Sequence, residues 1–185
     1  LYNSSDQEVE NGDSLFFEST GNGMNTVLFL TFPGDTNKCI SMQKLSPWVN
    51  PNLSNFGLLY SIIDKSANGG LGKVIDKNHV LLSDTLKGFI AATKHANGRD
   101  WWIMTHRIGN YPKDDFVEFL LTPNGFSTPI VQHIGPMIQT VSIGVFGQGK
   151  FSPDGNKFLV DDGPGVVALF DFDRCTGQLS NYIDL

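Results

Sequence analysis

The chain is poor in positive charge, in cysteine and in long apolar runs, and each shortage excludes something. It carries 13 Lys and Arg against 19 Asp and Glu, a net charge of −6 with a pI near 5.0. An acidic balance with no basic stripe argues against nucleic acid and anionic membrane surfaces as partners. No apolar stretch approaches the ~20 residues that cross a bilayer as a helix, so membrane insertion is not expected. Two cysteines among 185 residues decide little about redox compartment. There is neither an initiator Met nor a signal peptide, which reads as a start after processing or inside a longer polypeptide. No G-x-S-x-G is present, and Cys39 and Cys175 lack the local partners of a thiol enzyme. Gly144 to Gly149, GVFGQG, has spaced glycines but does not run from strand to helix, so it is weak as a phosphate loop.

What the chain does contain is core material and turns. Hydrophobic residues make up 40%, with 14 Phe, which argues against disorder. Twenty Gly and nine Pro are spread along it, as many turns between short strands require. Gly149 to Leu185 is the clearest example. Phe151 leads into Ser152-Pro153-Asp154-Gly155, where Pro fixes φ and Gly supplies positive φ. Strands are expected over Lys157–Val160, Val166–Asp173 and Leu179–Ile183, separated by Asp161–Gly165 and by a turn around Thr176-Gly177. Four short antiparallel strands joined by consecutive turns make one blade of a β-propeller.

The pattern recurs. Thr26 to Met42 and Ala91 to Thr105 repeat the strand–turn–strand opening, around Pro33-Gly34-Asp35 and Ala96-Asn97-Gly98. Leu58–Asp64 before Asn68-Gly69, and Phe116–Leu121 before Pro123-Asn124-Gly125, repeat the second half, with fourth strands expected at Lys73–Ile75 and Thr128–His133. Gly98 and Gly155 lie 57 residues apart, and Gly69, Gly125 and Gly177 lie 56 and 52 apart. That is slightly above the ~40–50 residues of common propeller repeats. The fold class is therefore read as all-β, a propeller of four-stranded antiparallel blades. Residues 1–20 are the end of a blade, and 21–85, 86–138 and 139–185 are successive blades. About three and a half blades fall short of the ~four to eight of a ring, so either the first strands close a four-bladed ring with the last repeat or, the preferred expectation, the remainder of a longer polypeptide completes it. An ordinary β-sandwich also spaces short strands by turns, but has no reason to repeat them at a fixed period.

Several of these stretches carry a family resemblance: TFPGDTNK, LLYSIIDKSANGGLGKV, ATKHANGRDWWIMTH, GKFSPDGNKFLV and LFDFDRCTGQLSN. The last two resemble the repeat of secreted bacterial propellers of the broad WD40-like and YVTN group. Taken in order, the stretches resemble the N-terminal propeller of large surface proteins of gliding bacteria. Those proteins usually end in a gliding-motility-type C-terminal sorting domain, which these residues do not include. The resemblance implies a ring of about seven blades, export, and a role at the cell surface. It implies no established catalytic set, and the step from fold to function rests on analogy.

Candidate chemistry gathers on one rim. In a four-stranded blade the loops between second and third strands lie at one end, which places Gln43–Phe56, His106–Asp115 and Asp161–Gly165 together. They hold Trp48, His106, Arg107, Tyr111, Asp114, Asp115, Asp161 and Asp162, aromatic and charged groups suited to a glycan or a protein loop. The plainer reading is that these are solvated loops, with Trp48 packing down the long one. Asp114-Asp115 and Asp161-Asp162 offer oxygens to Ca²⁺, but without the spacing of a dedicated calcium loop, so no cofactor is expected. Zinc is improbable, because His95 and His106 fall at opposite ends of their hairpin. A Cys39–Cys175 bond needs Cα atoms within ~7 Å, which the blade order disfavours; a cysteine elsewhere, or none, is the partner expected for Cys175. Trp101 and Trp102 point to opposite faces and read as packing between blades. The functional expectation is a non-catalytic interaction module of a secreted or cell-surface protein. The alternative is a propeller hydrolase of lactonase type, which needs His or carboxylates at the inner strands. Leu28, Leu30, Ala91, Thr93, Gly147 and Gly149 stand there instead.

Overall fold

A computed structural model describes residues 1–15, 27–45, 57–107, 115–135, 147–161 and 167–185. The fold is all-β, three antiparallel sheets with no α-helix among the described residues. The first sheet runs in order β1 (Val27–Thr31), β2 (Lys38–Leu45), β3 (Gly57–Asp64) and β4 (Lys73–Leu82). The central sheet is β5 (Leu86–Lys94), β6 (Trp101–Arg107) and β7 (Asp115–Thr122), with β8 (Gly125–Phe126) and β9 (Ile130–Gln132) both paired to β7. The third is β10 (Gln148–Phe151), β11 (Lys157–Asp161), β12 (Val167–Phe172) and β13 (Leu179–Asp184). Each is a meander, strand following neighbouring strand, and each falls inside one of the three expected repeats.

The turns form for local reasons. At Ser152-Pro153-Asp154-Gly155 the Gly155 N–H reaches the Ser152 carbonyl at 2.8 Å, with Gly155 at φ +74°. The Asp154 carboxylate accepts from the Ser152 hydroxyl and the Asn156 N–H, closing the turn on itself. Gly98, 57 residues earlier, takes φ +73° in the matching hairpin. Strand boundaries depart from the sequence reading mainly at the fourth strands. β4 runs on to Leu82 with register shifts against β3. The strand expected at Thr128–His133 is instead split, because the Ser127 N–H bonds the Leu120 carbonyl and Pro129 lacks a donor, delaying pairing until Ile130.

Register shows how the sheets correspond. The pairs Thr31↔Cys39, Lys94↔Trp101 and Phe151↔Phe158 close equivalent hairpins, so Cys39, Trp101 and Phe158 match, as do Ile40, Trp102 and Leu159. The central sheet is covered on both faces. Ile103, Val117, Phe119 and Leu121 pack with Leu30, Ile40, Met42 and Leu58 of the first sheet. Phe89, Trp102, Met104 and Phe116 pack with Phe158, Val160, Phe170 and Phe172 of the third. The adjacent tryptophans point opposite ways, as alternation along a strand demands. Trp101 donates its indole N–H to the Thr31 carbonyl at 3.0 Å, and Trp102 donates to the Arg174 carbonyl at 2.9 Å. Each ties the central sheet to a different neighbour. The sheets also meet through their first strands, β5 lying beside β10 and touching β1.

Residues 1–15 lie along β4. The Val74 N–H bonds the Glu10 carbonyl, Lys73 pairs with the Glu10 carboxylate at 2.7 Å, and Val9 is buried with Ile63 and Val74. Among the described residues no helix is long and apolar enough to cross a membrane. Cys39 and Cys175 are both free thiols.

Candidate functional site

The end of the central sheet where β6 passes into β7 carries a charged cluster. Arg107, last in β6, pairs directly across from Asp115, first in β7. Its guanidinium donates two hydrogen bonds to one Asp115 oxygen, through Nε at 2.7 Å and through a terminal nitrogen. The second Asp115 oxygen binds Nδ1 of His133, which follows β9. A further Arg107 nitrogen stands 3.5 Å from Asp84, in the link between β4 and β5. Asp115 is buried beneath these partners, while the His133 side chain is 52% exposed. With Nδ1 engaged, Nε2 is the ring nitrogen of His133 left for an outside group.

The electrostatics follow from that arrangement. Burial works to raise the Asp115 pKa, but hydrogen bonds from Arg107 and His133, with their charges, outweigh it and hold the carboxyl below its ordinary 3.8. A depressed carboxyl contributes stability above its unfolded pKa, lost as pH falls through the folded value. Asp115→Asn is expected to cost about 1–3 kcal/mol at neutral pH. It should also flatten the loss of stability on acidification below the ordinary 3.8. Urea unfolding across pH would check both; a variant with the wild-type acid slope would refute the assignment.

The structure brings together only part of the expected rim. Arg107 and Asp115 meet as a pair, at strand ends rather than in a loop. His106 does not join them. It belongs to β6, is 1% exposed, and its ring stacks on Phe116 at 4.6 Å with an interplanar angle of 11°. Its side chain points to the third sheet together with Trp102 and Met104, so the rim position expected for it is corrected to a core position. Asp161 ends β11 in the third sheet, exposed and outside this cluster. Trp48, Tyr111, Asp114 and Asp162 lie outside the described residues. His133 and Asp84 are the members that sequence reading missed.

No family model, no curated protein and no solved structure matches this chain. The cluster must therefore be read from its own chemistry. Among the described residues no three His, Cys, Asp or Glu side chains converge as metal ligands. Both Asp115 oxygens are committed to Arg107 and His133, which removes one carboxylate from the Ca²⁺ set considered above. The arrangement presents a fixed guanidinium and an oriented imidazole, donors and a planar face suited to a polar partner.

Proposed function

We propose that the three sheets are successive blades of a β-propeller and that the chain is a non-catalytic interaction module of a secreted or cell-surface bacterial protein. The rim cluster of Asp84, Arg107, Asp115 and His133 is its contact for a protein loop or a glycan. The observation that carries the binding reading is a difference between repeats. At the positions of Arg107 and Asp115 the first sheet has Leu45 and Gly57, paired in the same register. The first sheet closes there without charge, so the strand pairing does not require the cluster even though Asp115 adds to stability. Support for the propeller comes from the meander order of each sheet, the covering of both faces of the central one, and the adjacent first strands. The outer face of the third sheet exposes Leu159 at the position that Ile40 and Trp102 fill between sheets, and Ile183 two strands along, across Leu169. Another blade from a longer polypeptide suits that face. Export and surface location rest on the sequence resemblance alone.

One observation favours the hydrolase alternative: the Asp115–His133 pair is a carboxylate-oriented imidazole, the geometry of a general base. A single comparison separates the readings. The wild type and an Arg107→Ala/His133→Ala variant are screened on a glycan array and against immobilised surface proteins, and assayed on simple lactones and sugar esters with and without chelator. Binding weakened at least ~10-fold in the variant, about 1.4 kcal/mol, with no turnover by either protein, is the expected result. Chelator-sensitive turnover by the wild type would overturn it.

A further inference from the structure

Glu118 is a carboxylic acid sealed between the central and third sheets, and neither the core nor the rim accounts for it. It stands mid-strand in β7, paired with Met104, and is 0% exposed. Its Oε1 accepts from the side-chain amide of Gln132 in β9. That amide also donates to the Gly177 carbonyl at 2.9 Å, and the Gln132 oxygen accepts from the Leu179 N–H at 2.9 Å. Gln132 is thus a bridge with one end on Glu118 and the other on the turn and last strand of the third sheet. Oε2 is buried without a hydrogen-bond partner among the described residues. Gly177 lies so close that an added Cβ would stand 2.9 Å from Oε2 and 2.8 Å from the Trp102 ring. The equivalent positions in the first and third sheets, across from Met42 and Asp161, hold Tyr60 and Val167, so the repeat does not call for an acid there.

We infer that Glu118 is a proton-operated latch on the seam between the central and third sheets, closed when the carboxyl is neutral and loosened when it ionises. A neutral acid is tolerated in such a place, whereas an ionised carboxylate with one bare oxygen is costly. Among the described residues no cation is positioned to compensate. Arg174, on the turn above, spends its guanidinium on the carbonyls of Lys94, His95 and Asp154. Asp173 of that turn accepts from the Cys175 N–H. His95 lies against the Trp102 ring at 5.8 Å, His133 faces Asp115, and His106 stacks on Phe116. Leu179 of β13 meets the site through its backbone N–H. Burial therefore dominates and pushes the Glu118 pKa from 4.5 to about 8, against a smaller opposing effect of Gln132. With the folded value raised, the contribution to stability is complete below 4.5 and is lost as pH rises to about 8.

The test is amide exchange read by mass spectrometry, with rates corrected for the intrinsic effect of pH. Protection of residues 177–184 is expected to fall by about tenfold per pH unit between the unfolded and folded pKa values. It should level off above about 8, while β3 shows no such slope. Glu118→Gln, neutral at every pH and nearly the same shape, should abolish the slope. An unchanged slope in that variant, or the same slope in β3, overturns the latch. A measurement on the wild type alone guards against a variant that fails to fold. The infrared band of a protonated carboxylic acid should be present at neutral pH and disappear around pH 8. Its absence at neutral pH overturns the proposal as firmly.

Discussion

Trp102→Ala is expected to lower the unfolding free energy by about 3–5 kcal/mol, a large part of the ~5–15 kcal/mol that holds a typical domain. The indole is 3% exposed and meets Phe172 edge-on at 6.3 Å. It also lies directly beneath Gly177. Removing it leaves a cavity between two sheets and takes the 2.9 Å donor from the Arg174 carbonyl. That carbonyl belongs to the turn whose Arg174 side chain gathers three carbonyls from the two neighbouring hairpins, so the damage should spread along one seam. Trp101→Ala is the matched control. Its indole donates a similar bond, to Thr31, but the ring is only partly buried, under the Lys94 ammonium at 3.7 Å. Its loss should be clearly smaller. Guanidinium unfolding of both variants would decide, and equal losses would refute the asymmetry drawn between the two seams.

The turns, the strand order and the opposed tryptophans were legible because each is set by neighbours in sequence. Pro153-Asp154-Gly155 fixes its own backbone, and strand alternation puts Trp101 and Trp102 on opposite faces whatever lies beyond. The site was legible only in part. Arg107 and Asp115 lie eight residues apart at the ends of consecutive expected strands, so their meeting could be anticipated. His133 reaches Asp115 from just past β9, 18 residues on, through a register that depends on where Pro129 lets pairing resume. His106 looked like the first polar residue of a loop; only the Phe116 ring across the pair makes it core. Glu118 stands as a single acid within the apolar run FVEFLL. Its burial is decided by Gly177, nearly sixty residues later, and no local pattern records that.

Gly149→Ala is expected to cost about 1–3 kcal/mol through overpacking alone. Gly149 stands in β10, the first strand of the third sheet, and packing gives the reason for glycine there. An added Cβ would stand 2.4, 2.5 and 2.8 Å from three atoms of the Phe89 ring. Phe89 is 0% exposed and held between Phe158 and His106, at 5.8 and 6.3 Å between ring centroids, so it has little room to yield. Backbone strain does not enter, since Gly149 is not among the positive-φ glycines. Gly98→Ala supplies the opposite case, with φ +73° and nothing within 4 Å of the added Cβ, so its cost comes from conformation only. The two effects separate in a double mutant. Phe89→Leu should cost stability alone yet recover part of the loss in Gly149→Ala, a coupling above the ~0.5 kcal/mol expected of independent sites. It should leave the Gly98→Ala penalty untouched. Additive losses for the Phe89 and Gly149 changes would show that the first strands of these two sheets are not in the close contact that sets their spacing.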